Sequence, residues 1–166
     1  MSKINFLFVT LFGIGKLKKI PGSYASLVTT IFLFFLFHIL NFSPNIVLVG
    51  VIIVFLISLY AVNIFIKDLD NKDPKEIVID EFIGQSIPIY LYEISHGTEK
   101  SSSEAIIFYC VCFALFRFFD IVKPFPVNFF DRNFKNFFGV IMDDICAGLY
   151  VVLFLICFMI LKNYLL

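Results

Sequence analysis

Between Phe137 and Leu161 the chain is almost continuously apolar, yet Asp143 and Asp144 stand side by side within it. A run of this length covers the roughly 20 residues a helix needs to cross the hydrocarbon core. Inside lipid only a helix or a closed barrel satisfies every backbone polar group. An ionised carboxylate there costs about 2.5–3.5 kcal/mol even on the lenient insertion scale, and two neighbours also repel. The fold must therefore supply a cation or hold the pair near a polar surface. Similar interruptions occur at Asp80-Glu81 and at Arg117, Asp120 and Lys123. Three of them in one chain point to chemistry or transport.

Composition sets the class. Apolar residues make up 60% and charged residues 16% of the 166-residue chain, against about 45–50% and about 25% in soluble domains. The expectation is an all-α, polytopic membrane helix bundle forming one domain over residues 1–166. A net charge of zero argues against nucleic-acid binding. No cleavable signal peptide is expected, because Ile4–Phe12 is short and Gly13-Ile-Gly-Lys16 follows it. Cys110, Cys112, Cys146 and Cys157 all lie in apolar segments without zinc spacing and read as buried packing residues.

Five apolar segments are expected as helices: Ser26–Leu40, Ile46–Ile66, Ile77–Ile94, Ala105–Val122 and Phe137–Leu161. The first is short, and the third carries Asp80, Glu81, Gln85 and Pro88. Polar linkers occupy 67–76 and 95–104, and Ser103 is placed to cap the fourth helix. Lys123-Pro-Phe-Pro126 ends that helix. Val127–Phe138 mixes five phenylalanines with Asp131, Arg132 and Lys135, the pattern of a short amphipathic helix in the membrane interface.

With five spans, the N-terminus and the second and fourth loops share one side. That side holds Lys3, Lys16, Lys18, Lys19, Lys67, Lys72, Lys75, Lys123, Arg132 and Lys135, and the other only Lys100 and Lys162. The excess predicts a cytoplasmic N-terminus. It also brings Asp80, Glu81, Arg117, Asp120, Lys123, Asp143, Asp144 and a loop at Gly22-Ser23 to one depth near the cytoplasmic headgroups.

Spacing supports a shared site. Arg117, Asp120 and Lys123 recur every three residues, on one helix face. Gly84 follows Asp80 by four, and Ala147 and Gly148 follow the aspartate pair by four, so neighbouring helices can approach closely. Five carboxylates facing one another require a divalent ion, and Mg²⁺ suits oxygen ligands shared with a substrate phosphate. Arg117 and Lys123 offer positive charge to phosphoryl oxygens. Lys16 to Ser26, with its lysines, Ser23 hydroxyl and backbone amides, adds an anion site before a helix. Gly13-Ile-Gly-Lys16 lacks the spacing and preceding strand of a nucleotide loop.

Four motifs carry a family resemblance: Pro21-Gly-Ser-Tyr-Ala-Ser26, Ile79-Asp-Glu-Phe-Ile-Gly-Gln85, Phe116-Arg-Phe-Phe-Asp-Ile-Val-Lys-Pro-Phe-Pro126 and Gly139-Val-Ile-Met-Asp-Asp-Ile-Cys-Ala-Gly148. In this order they resemble the signatures of phosphatidylglycerophosphatase A, over roughly residues 13–160. Ser23 and Ala25 stand where the family commonly has threonine and glycine. The resemblance implies a Mg²⁺-dependent lipid phosphatase that converts phosphatidylglycerophosphate to phosphatidylglycerol, in the bacterial cytoplasmic (inner) membrane. It also implies an acidic metal centre of Asp80, Glu81, Asp120, Asp143 and Asp144. Asp143, Asp144, Asp80, Arg117 and Asp120 would be catalytic, and Gly22, Ser23, Arg117 and Lys123 would bind the substrate phosphate.

Each residue also has a plainer reading. Arg117 and Asp120 can form an intrahelical pair, Asp143 and Asp144 can sit at a membrane interface, and Glu81 can play a supporting part. Lys16, Lys18 and Lys19 read chiefly as orientation and anionic-lipid anchors. His38 and His96 fall at the far side from the cluster, which disfavours a phosphohistidine mechanism. The rival class is a small ion- or proton-coupled transporter using the same carboxylates. The outer halves of the second, fourth and fifth segments are nearly free of polar groups, which argues against it.

Overall fold

The computed structural model describes residues 2–67, 69, 74–96, 102–134 and 136–165. Its helices are α1 (Lys3–Val9), α2 (Pro21–Phe34), α3 (Pro44–Ile66), α4 (Ile79–His96), α5 (Ser102–Val122), α6 (Val127–Asn133) and α7 (Phe137–Leu165). A short 3₁₀ turn, Ile14–Lys16, precedes α2, and a π-helical turn, Phe35–Ile39, extends it. No strand occurs among the described residues.

Proline and asparagine set several boundaries. Pro21 opens α2 and Pro44 opens α3, positions where the missing N–H costs nothing. Gly22 and Ser23, expected in a loop, therefore lie in the first turn of α2, and the first span runs Pro21–Ile39 instead of starting at Ser26. Asn136 Oδ1 accepts the N–H groups of Phe138 and Gly139 at 3.1 and 3.0 Å and caps α7. That cap shortens the expected interfacial helix to Val127–Asn133. Ser103 lies inside α5, not at its cap.

Among the described residues four helices are long and apolar enough to cross a membrane: Pro21–Ile39, Pro44–Ile66, Ser103–Val122 and Phe137–Leu165. The sequence predicts five. The difference is α4, whose Asp80, Gln85, Ser86 and Glu93 are buried. This helix packs against α2, α3, α5 and, most extensively, α7. It occupies the centre, so its polar groups meet protein and it need not look apolar to lipid. The outer helices instead expose Ile52, Leu56, Phe154 and Phe158, among others, as a surface for the bilayer.

Helix directions follow from the two core clusters. One joins Ala61 and Ile66 to Ile79, Ile83, Val140 and Ile141; the other joins Val47 and Leu33 to Ile89, Tyr92, Tyr109 and Val151. Hence α2, α4 and α7 begin at the end where α3 and α5 finish. The Val78 N–H donates to the Val9 carbonyl at 3.1 Å, and the Asn5 amide to the Ala61 carbonyl at 3.1 Å, which ties α1 to this same end. Asp80, Glu81, Asp120, Asp143 and Asp144 all lie there. Lys72, Lys100, Lys135 and the side chain of His96 lie outside the described residues. Cys112 and Cys146 are buried as expected, whereas Cys110 and Cys157 are exposed on the outer faces; all four thiols are free.

Candidate active site

Two glycines bring the acidic pairs together. A Cβ on Gly84 of α4 would lie 2.5 Å from the Asp144 carbonyl oxygen of α7, and one on Gly148 would collide with the Gly84 carbonyl. Only hydrogen at both positions permits this crossing, as the spacing predicts. One oxygen each from Asp80, Glu81 and Asp144 then lies within 4.8 Å of the others. Gly22, in the first turn of α2, lies directly over the Glu81 carboxylate. The Asp80 and Asp143 carboxylates accept the N–H groups of Glu81 and Asp144, at 3.1 and 3.0 Å.

Two cations flank this group. Arg117 Nη1 sits 2.9 Å from Asp120 Oδ2, one turn along α5, and donates to Ser26 Oγ at 3.3 Å. Lys123 lies past the end of α5, where its left-handed backbone (φ 46°) and the following proline break the helix. Its Nζ reaches Asp143 Oδ2 at 3.0 Å and Asp131 Oδ1 at 2.6 Å. Burial alone would lower the pKa of this ammonium, but Asp143 and Asp131 outweigh burial and hold it above the ordinary lysine value.

Gly22, Ser23, Asp80, Glu81, Arg117, Asp120, Lys123, Asp143 and Asp144 all line one cavity of about 390 Å³. The nine residues singled out in the sequence therefore converge. The five carboxylates divide, however: Asp80, Glu81 and Asp144 form the group able to hold a metal, while Asp120 and Asp143 are engaged by Arg117 and Lys123. Glu81 Oε2 and Arg117 Nε are buried there without a hydrogen-bond partner among the described residues.

Some participants were not singled out. Asp131 and Ser26 hold Lys123 and Arg117 respectively; the only hint of Asp131 is its place in a phenylalanine-rich stretch. At the opposite end of the bundle Glu93 Oε1 accepts from Tyr109 at 2.8 Å and stands 3.1 Å from His38 Nε2. His38 is thus turned away from the acidic cavity, as its sequence position indicates.

A helical bundle with membrane-spanning helices and with acidic and basic side chains converging on one cavity defines the class: an all-α membrane protein with a polar site at one end. The particular family follows from comparison with known proteins. The chain matches the family described as Phosphatidylglycerophosphatase A over residues 7–159, and it belongs to that family. It is 34% identical over 153 residues to Phosphatidylglycerophosphatase A of Haemophilus influenzae, covering 92% of this chain and 86% of that protein. A putative phosphatidylinositol-3-phosphatase of Bacteroides thetaiotaomicron is 31% identical over 155 residues, 90% of this chain and 92% of the relative. Phosphatidylglycerophosphatase A of Escherichia coli is 29% identical over 153 residues, 89% and 79% respectively. No solved structure matches the chain at a significant level.

Proposed function

We propose that this protein hydrolyses the terminal phosphomonoester of phosphatidylglycerophosphate to phosphatidylglycerol and phosphate, at the cytoplasmic face of a bacterial inner membrane. The observation that carries the reading is the cavity where Asp80, Glu81 and Asp144 meet beside Arg117 and Lys123. The relatives' names point to phosphatidylglycerophosphate and phosphatidylinositol 3-phosphate. In both lipids a polyol joins a phosphodiester to a terminal monoester. The orientation is supported by Lys3, Lys16, Lys18, Lys19, Lys67, Lys75, Lys123 and Arg132 at the acidic end, against Lys162 at the other.

The donor set fits Mg²⁺. Asp80, Glu81 and Asp144 offer only hard oxygen ligands, and Glu81 Oε2 is buried without a partner among the described residues. Held by these three, the ion would polarise a phosphoryl oxygen and make a water more acidic.

The chain's own groups bind and orient the substrate. Arg117 and Lys123 bind non-bridging phosphate oxygens, positioned by Asp120 and Ser26 on one side and by Asp131 and Asp143 on the other. Gly22 and Ser23, in the first turn of α2, present N–H groups and a hydroxyl to the same phosphate. Both Asp143 oxygens are engaged, so Asp144 is the carboxylate that takes a proton from the attacking water. As the phosphorus–oxygen bond to the glycerol breaks, the leaving glycerol oxygen takes up that proton and Asp144 returns to its ionised form.

Support for this reading over a transport path comes from the hydroxyls below the cavity. Ser26, Thr29 and Thr30 bond back to their own helix, and the fully buried Ile89 separates the polar Gln85 and Glu93 along α4. Purified protein in detergent micelles should release phosphate from phosphatidylglycerophosphate, more with Mg²⁺ than with chelator, with phosphatidic acid a weaker competitor. Ion flux into vesicles without lipid dephosphorylation would favour the transporter instead.

A further inference from the structure

A second recess adjoins the carboxylate cavity. It encloses about 530 Å³, and its walls include Phe6, Lys16, Lys18, Lys75 and Glu76. Lys18, Pro21 and Lys75 line both recesses, so the two abut.

This second recess is built into the fold. Lys16 Nζ lies 4.5 Å from the centroid of the Phe6 ring, a cation–π seat on α1. Gly15 lets the 3₁₀ turn press against the Glu76 backbone, and the Val78–Val9 hydrogen bond fixes the α3–α4 linker to the N-terminal segment. None of the three lysines forms an ion pair with a described residue. Three lysines against the single carboxylate of Glu76 leave the recess positive, and a concave wall focuses that field.

We propose that this recess receives the phosphodiester of a two-phosphate lipid headgroup, and that Lys16, Lys18 and Lys75 thereby select such lipids over those with a single phosphate. The inference rests on the phosphatase reading. The terminal monoester faces Arg117, Lys123 and the carboxylates, while the diester, one polyol away, meets the three lysines. Phosphatidic acid carries only the monoester and leaves the second recess without its anion. A phosphodiester from a neighbouring anionic lipid has the same chemistry, so the test must separate the two sources.

The experiment measures KM and kcat of the full-length protein in mixed micelles, with phosphatidylglycerophosphate and phosphatidic acid in parallel. Lys18→Met and Lys75→Met should each raise KM for the two-phosphate lipid about tenfold, the loss of one charge-assisted contact. Their preference for that lipid over phosphatidic acid should shrink by the same factor. Lys75→Arg should restore the preference, and Lys3→Met, exposed and outside both recesses, should leave it as in the parent. Equal losses on both lipids would mean that the lysines attract anionic lipid in general, and would overturn the proposal. So would unchanged kinetics. If the parent protein hydrolyses neither lipid, the phosphatase reading falls with it; if it hydrolyses both at an unaltered ratio in the variants, only the second subsite falls.

Discussion

Gly84 of α4 faces the backbone carbonyl of Asp144 so closely that a Cβ would come within 2.5 Å of that oxygen. The same methyl would press on the Phe116 ring at 2.8 Å. This contact sets the separation between the acidic pair of α4 and that of α7. Gly84→Ala should therefore push the helices apart, and overpacking of this kind costs about 1–3 kcal/mol. Because misplacement by about 1 Å can cost on the order of a hundredfold in rate, turnover per folded molecule should fall further than stability does. A detergent-solubilised variant with the parent's unfolding midpoint and turnover would refute this account.

Lys123 should behave as a permanent cation. Its pKa is raised on folding by Asp143 and Asp131, burial notwithstanding. A group raised on folding contributes stability that is complete below its unfolded pKa, about 10.4 for lysine, and that fades as pH climbs through the folded value. The gap in thermal midpoint between the parent and Lys123→Met should hence stay level from about pH 6 to about pH 10 and close only above that range. A gap that closes between pH 7 and 9, two ordinary assay conditions, would show that Lys123 is not held by these carboxylates.

The convergence of the acidic residues could be read from the sequence because helix direction alternates. Asp80, Arg117, Asp120 and Asp143 each sit near one end of an apolar run, and antiparallel succession puts those ends together. Other features depend on packing that no linear pattern records. The exclusion of α4 from the apolar spans reflects its central position, which turns Gln85 and Glu93 toward protein. The division of the carboxylates between metal group and cations depends on side-chain distances within a single cavity. Lys75 reads as an orientation charge until the Val78–Val9 hydrogen bond brings the linker beside the N-terminal segment. Pro21 was legible, but as a loop residue; its fitness for the first helical position moved Gly22 and Ser23 into α2.

Removing one carboxylate of the acidic group should separate metal binding from folding. Ligands that bind only the folded state raise its stability with concentration. Mg²⁺ should thus raise the thermal midpoint of the parent, and Asp144→Asn should abolish that rise while lowering phosphate release by about a hundredfold or more. Asp80→Asn and Glu81→Gln should weaken the same Mg²⁺ response. Full Mg²⁺-dependent activity in Asp144→Asn would remove this residue from the mechanism.

At the far end of the bundle, the Tyr109 hydroxyl and His38 converge on one oxygen of Glu93, and Phe34 stacks on the His38 ring at a centroid distance of 4.7 Å. The three polar residues come from α5, the π-helical turn after α2, and α4, so they join three helices at a level remote from the acidic cavity. Interhelical hydrogen bonds in membrane proteins contribute about 0.6 kcal/mol on average and up to about 1.7. Tyr109→Phe removes one such donor while keeping the ring against Phe34 and Tyr92, so it should lower the unfolding midpoint modestly. Its kcat on phosphatidylglycerophosphate, normalised to folded protein, should match the parent. A variant with parental stability but reduced kcat would instead tie the far-end cluster to catalysis, contrary to a purely structural clasp.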